Sequence, residues 1–201
     1  MDVVATFVTF FAVIDPIGTV PVFLAVTPQY DAKIKRRIAI RAFVVASAVL
    51  LFFLTLGELI LDAMDIPLSA FQVSGGVVLF IFALTMIFGE SKPEVETRLA
   101  DDDHQNTAVF PLAVPSLASP GAMLAVVLAT QKARFTIWQQ TQTGIVVIAV
   151  LLIALGLMLL ASWIDRVIGK AGASVISRVM GLILTAVAAK NILAGLQSYF
   201  G

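Results

Sequence analysis

Six apolar stretches, each about as long as a bilayer is thick, leave this chain little choice of fold. A membrane helix needs roughly 20 mainly apolar residues, within a range of about 17 to 25. Windows near 3–27, 39–61, 68–89, 108–130, 143–164 and 175–197 meet that requirement. They are separated by charge and proline, in "PQYDAKIKRR", "LDAMDIP", "ESKPEVETRLADDDHQN", "QKARF" and "DRVIGKAG". Nothing outside the runs is long enough for a soluble domain. Residues 1–201 therefore read as a single, all-α membrane domain of six transmembrane helices. Composition agrees: 60% of the 201 residues are hydrophobic and 13% charged, where a soluble domain carries about a quarter charged residues. The opening "MDVVATFVTF" lacks the basic region and cleavage pattern of a signal peptide, so the first run is expected to stay in the mature protein.

The same composition excludes several kinds of function. Thirteen basic and thirteen acidic residues give no net charge, which argues against a nucleic-acid partner. Cysteine is absent, and with it disulfides, thiolate metal sites and thiol redox chemistry. The one histidine stands in "DDDH", residues 101–104, which reads as a solvated loop rather than a metal site. There is no phosphate-binding lysine motif, nucleotide fingerprint, Ser-His-Asp set or HExxH. We expect no enzyme, no cofactor and no ATP-driven pump; any transport would be secondary.

Lys and Arg concentrate in cytoplasmic loops, so their distribution sets the orientation. Lys33, Lys35, Arg36, Arg37, Arg41, Lys92, Arg98, Arg166, Lys170 and Arg178 fall on one side; Lys132 and Arg134 fall on the other. Both termini are therefore expected to face outward, which for a bacterial inner membrane means the periplasm.

Two of the spans carry internal punctuation. "DPIG" at 15–18 and "SPG" at 119–121 each put a polar residue and a proline in mid-run, with Asp15 and Ser119 104 positions apart. "SGGVVLFIFAL" at 74–84 and "MGLILTAVAAK" at 180–190 correspond at a similar offset. Each half holds three spans, so a second copy must enter the bilayer from the opposite face. The chain is expected to be two inverted three-helix repeats, about 1–89 and 108–201, joined by a cytoplasmic linker at 90–107. Such repeats are a known transporter architecture, with the binding site at their interface near the midplane.

Asp and Ser are favoured N-caps, and Pro is favoured at the first helical position. Asp15-Pro16 and Ser119-Pro120 thus read as restarts, breaking helices 1 and 4 near the midplane. Pro21, Pro111 and Pro115 further disfavour straight rods. Breaks in hydrocarbon are tolerated only where buried in protein or lining a wet cavity. A half-helix N-terminus suits an anion such as a carboxylate. Ser119 is neutral and leaves its end available to a substrate carboxylate; Asp15 could hold an ammonium group or a proton. Gly18, Ala118, Gly121 and Ala122 would permit close approach. Asp15, Gly18, Ser119, Pro120, Gly121 and Ala122 are the candidate substrate-binding residues. Asp15 could instead do no more than cap its helix. An acid at bilayer depth costs about 2.5–3.5 kcal/mol on insertion scales, and a serine or asparagine could cap without that penalty, so a functional role is favoured. For Ser119, capping alone and substrate contact weigh equally.

Gln72, Ser74, Lys190 and Asn191 are candidates to line a path. Small residues such as Gly75 and Gly76 more often allow close helix packing, and Lys190 would snorkel to the outer interface. Glu58 and Asp62 read as a solvated span end, and Arg178 as an anchor.

Taken in order, "DPIGTVPVFLAVT", "FQVSGGVVLFIFALTMIFG", "FPLAVPSLASPGAM" and "ISRVMGLILTAVAAKNILAGL" resemble the MarC family of bacterial inner-membrane proteins over essentially the whole chain. The resemblance implies a six-span protein of the plasma membrane. SnatA-like relatives imply transport of small neutral amino acids coupled to a cation gradient, and the fold is similar to that of LysE-type exporters. Where many relatives read "GPG" in span four, this chain has Ser119-Pro120-Gly121. The expected function is a secondary transporter of small zwitterionic solutes, coupled to protons or sodium and surrounded by membrane lipid. Export of other small metabolites or drugs, or a non-transporting scaffold, are the rival readings.

Overall fold

The computed structural model describes residues 2–88, 104–131 and 135–200, all of it helix, turn and connection, with no strand among the described residues. Helix α1 spans Val3–Ile14, α2 Pro16–Val26, α3 Ala32–Ala63 and α4 Leu68–Phe88. After a single turn at His104–Thr107, an irregularly wound segment covers Ala108–Leu117. Helices α5 (Pro120–Leu128), α6 (Ile137–Leu159) and α7 (Ala161–Phe200) complete the chain. Five stretches are long and apolar enough to cross a membrane: Val3–Val26, Ala32–Ala63, Leu68–Phe88, Ile137–Leu159 and Arg178–Phe200. The irregular segment and α5, bent by 53° at their junction, supply a sixth if the pair counts as one span.

Two boundaries differ from the sequence reading. The basic stretch expected to separate spans one and two is helical, since α3 begins at Ala32 with Asp31 accepting from the Ile34 amide at 2.7 Å. The "DRVIGKAG" stretch, expected as a connection, lies inside the 40-residue α7. Charge ends a hydrophobic run, but it does not end a helix whose backbone pairs with itself. The acidic residues of the linker, including Asp101–Asp103, and the Lys132–Arg134 stretch lie outside the described residues.

Helices α4 and α7 form the most extensive pairing among the described residues. A side chain at Gly76 would meet Ala188 O and Ile192, one at Gly195 would meet Ser69 O, and one at Gly181 would meet Ala83 O. Ser69, Gly76 and Ala83 are thus spaced by seven on α4, opposite Gly195, Ala188 and Gly181 spaced by seven on α7. Seven residues is two helical turns, so both series stay on one face. Lipid tails are as apolar as leucine, so membrane helices associate through close packing, and small residues bring the backbones together. Of the glycines of span three, Gly76 serves this antiparallel seam.

Around that pair, α3 packs on α5, α6 and the irregular segment, while α6 packs on α1, α2 and α3. Helix α2 also contacts α7, and α4 contacts α5. Gly57 of α3 lies against Val127, and Gly75 of α4 against Leu124. The core between these elements holds Phe10, Ile14, Leu50, Leu79, Leu112, Leu117, Leu124 and Leu151, all fully buried.

Candidate functional site

The two punctuated stretches meet in the protein interior. Helix α1 ends at Ile14, Asp15 takes a left-handed conformation (φ 52°, ψ 65°), and α2 restarts at Pro16. Asp is among the few residues that adopt this conformation readily, because its short polar side chain bonds locally. Here Oδ1 accepts from the Gly18 amide at 3.0 Å, within a residue only 2% exposed. The carboxylate folds back over its own helix so closely that a Cβ on Gly18 would lie 2.0 Å from Oδ2. Gly18 is therefore required by the cap itself. Within α2, Pro21 removes one further backbone donor.

The second stretch is shaped by its prolines. Phe110 and Val114 are extended in an otherwise wound segment, and each precedes a proline, Pro111 and Pro115. The proline ring disfavours α conformation in the preceding residue. Ser119 is extended too, before Pro120, and its Oγ accepts from the Ala122 amide at 3.1 Å. Ala118, Ser119, Gly121 and Ala122 are buried, whereas Pro120 is exposed.

Hydrogen bonds tie one interruption to the other. Ser119 Oγ donates to Val13 O, two residues before Asp15, at 3.3 Å. The hydroxyls of Thr19 and Ser116 lie 3.2 Å apart, and Thr19 Oγ1 also donates to Asp15 O at 3.1 Å. Gly121 packs against α1 and α4, with Val13 and Leu79 in the space a side chain would take. Thr19 and Ser116 were not among the sequence candidates. Both sit within four positions of a cap, but their pairing depends on how the two stretches cross.

Capping narrows what each helix end can offer. Proline has no amide hydrogen, and the cap side chain takes the amide two residues further on. In α2 this leaves the Ile17 amide as the first-turn donor that neither feature accounts for; in α5 it leaves Gly121. Of the amides from Ser119 to Ala122, those of Ser119 and Gly121 are left for a carboxylate, because Pro120 has none and Ala122 donates to Ser119.

The remaining path candidates stand elsewhere. Gln72 and Asn191 are half-buried, and Ser74 and Lys190 are exposed. Ser74 Oγ donates to Phe71 O in its own helix at 3.1 Å. Among the described residues, no hydrogen bond joins these four to the interruptions. No group of His, Asp and Glu suited to a metal ion occurs among the described residues.

A family model described as "MarC family integral membrane protein" matches residues 1–200. The chain belongs to the MarC family. Relatives of this MarC-family protein occur in archaea and bacteria. It is 33% identical over 201 residues to UPF0056 membrane protein MJ1677 of Methanocaldococcus jannaschii, covering 96% of this chain and 95% of that one. It is 33% identical over 204 residues to UPF0056 membrane protein YvbG of Bacillus subtilis, covering 98% and 95%. For YhcE of Escherichia coli the identity is 29% over 205 residues, covering 96% and 91%. Their names state membrane residence and no activity. No solved structure matches the chain significantly. The MarC-family protein is thus an integral membrane protein with several apolar helices.

Proposed function

We propose that this MarC-family protein is a secondary transporter of small zwitterionic solutes, foremost small neutral amino acids, driven by a proton or sodium gradient. The observation that carries this reading is the meeting of two buried helix restarts with unlike caps, one a carboxylate and one a hydroxyl. A zwitterion needs a place for each of its charges. Asp15 would take the ammonium group or the coupling ion, and the Gly121 amide with the positive end of α5 would take the carboxylate. In the described arrangement each cap serves its own helix, so binding requires the caps to exchange partners. Buried polar groups at bilayer depth are costly enough that a working role for them is the default reading.

The inverted-repeat reading, with helices 1 and 4 broken near the midplane, has support in the packing. Exchanging span one with four, two with five and three with six turns each pairing into another that is present. The contact of α3 with α5 and the irregular segment answers that of α6 with α1 and α2, and α4 on α5 answers α7 on α2. A buried threonine stands just past the end of each restarted helix and donates to the carbonyl four residues back: Thr27 to Phe23 at 2.6 Å, and Thr130 to Val126 at 2.7 Å. We place the protein in the bacterial inner membrane, with both termini periplasmic and the 90–107 linker cytoplasmic, on the asymmetry of its Lys and Arg.

The test is a panel of labelled small solutes in proteoliposomes, with and without proton and sodium gradients. Gradient-dependent accumulation of glycine or alanine is expected. Absence of flux for every zwitterion, together with a stable co-purifying protein, would replace transport with the scaffold reading.

A further inference from the structure

Helix α3 carries a second feature that transport does not use. Lys33, Arg37 and Arg41 follow one another at intervals of four, on the stripe that continues as Val44, Ala48, Leu51, Phe52, Thr55 and Leu59. Every residue of that stripe is exposed. In a membrane protein, an outward apolar stripe faces lipid tails. From Arg41 to Leu59 is 18 residues, which at 1.5 Å per residue spans about 27 Å, close to the roughly 30 Å of the hydrocarbon core. Arg41 therefore stands at one edge of the hydrocarbon. Arg37 lies about 6 Å further out and Lys33 about 12 Å, at the depth of the headgroups.

The charges also sit in a costly place. Lys33 occupies the first turn of the helix, where the backbone dipole is already positive, with Arg37 and Arg41 one and two turns further on and, beyond the Asp31 cap, no acid in the first turn. Among the described residues, no carboxylate pairs with Lys33, Arg37 or Arg41. Arg36, also exposed, adds a fourth cation beside them. An anion supplied from outside the chain would offset this, and the neighbour already lying along the stripe is lipid.

We propose that Lys33, Arg37 and Arg41, flanked by Arg36, form a binding site for anionic lipid headgroups, with the acyl chains lying along Val44, Ala48 and Leu51. Guanidinium groups suit phosphate because their planar donor fork matches two oxygens at once. This site is separate from the buried interruptions and holds whether or not the protein transports amino acids.

The test is native mass spectrometry of the full chain in detergent, titrated with phosphatidylglycerol and, separately, phosphatidylcholine. The wild type is expected to retain phosphatidylglycerol in preference. Each cation at such a surface contributes about a fivefold change in affinity, so Arg37→Gln/Arg41→Gln should weaken phosphatidylglycerol retention about 25-fold and leave phosphatidylcholine unchanged. Lys190→Gln, an exposed cation on another helix, should change neither. If the double variant misfolds, Arg37→Gln and Lys33→Gln singly should each show the fivefold loss. Equal retention of the two lipids by the wild type, or undiminished phosphatidylglycerol retention in the folded variants, overturns the site. Competition by free inorganic phosphate at millimolar concentration with no lipid preference would also overturn it.

Discussion

Replacing Asp15 with asparagine separates the two jobs its carboxylate can do. Asn caps helices about as well as Asp, and it is the other common residue that accepts a left-handed backbone, which matters at φ 52°. The Gly18 amide keeps an acceptor, so the cap is preserved while the charge is lost. Folding stability should stay at or above that of the wild type, since a buried acid that costs about 2.5–3.5 kcal/mol to place in a membrane has been neutralised. Asp15→Ala is the contrast. It loses a cap worth about 1 kcal/mol and leaves a Cβ residue in left-handed backbone, at about a further 1–2 kcal/mol, for a total of about 2–3 kcal/mol. Stability is measured by denaturant titration in mixed micelles, and function by gradient-driven uptake of glycine or alanine in proteoliposomes. The expected pattern is a folded Asp15→Asn protein that no longer accumulates substrate. Uptake at the wild-type rate in that variant would mean that the carboxylate does nothing an amide cannot. Its role would then be capping alone.

Other consequences can be checked in the same preparations. Ser119→Ala removes a cap and a bond to Val13 and should cost about 1–2 kcal/mol, whereas Ser119→Gly loses the same bond but only a few tenths for the cap, because glycine is a tolerated N-cap; denaturant midpoints distinguish them. Gly195→Ala puts a methyl group 2.9 Å from the backbone oxygen of Ser69 and should destabilise the α4–α7 seam by about 1–3 kcal/mol. Gly156→Ala, with nothing within 4 Å of the added carbon, should be neutral or stabilising by up to about 1 kcal/mol. Thr130→Val breaks bonds to Val126 O and Leu54 O and should cost about 0.6 kcal/mol, the average for such bonds inside membranes. A C-terminal alkaline phosphatase fusion should be active and the matching fluorescent-protein fusion dark, if the last residues face the periplasm.

The apolar runs and the restart points were legible because both rest on local chemistry. Hydrophobic length and an Asp-Pro or Ser-Pro pair act within a few residues. What escaped depends on partners distant in sequence. Ser69, Gly76 and Ala83 become a seam only when Gly195, Ala188 and Gly181 lie opposite, and no local pattern states that register. Thr19 and Ser116 look like ordinary hydroxyls until the two stretches cross. The "DRVIGKAG" stretch does fall between two candidate spans, Ile137–Leu159 and Arg178–Phe200, but its helical state was not legible, because charge can end an apolar run without unpairing a helix backbone. Gln72, Ser74, Lys190 and Asn191 drew attention as polar residues in apolar runs, yet a hydroxyl such as that of Ser74 can be satisfied by its own preceding turn.

The single formal charge separating Asp15 from Ser119 has a consequence for any dipolar guest. Two halves built on one plan would accept such a molecule head-first or tail-first with equal ease, and each turnover would deliver it in either sense. In the proposed transporter, one carboxylate would remove that degeneracy and fix which end of the guest leads. The proposed near-symmetry would then serve the motion of the protein while the cargo kept a defined direction.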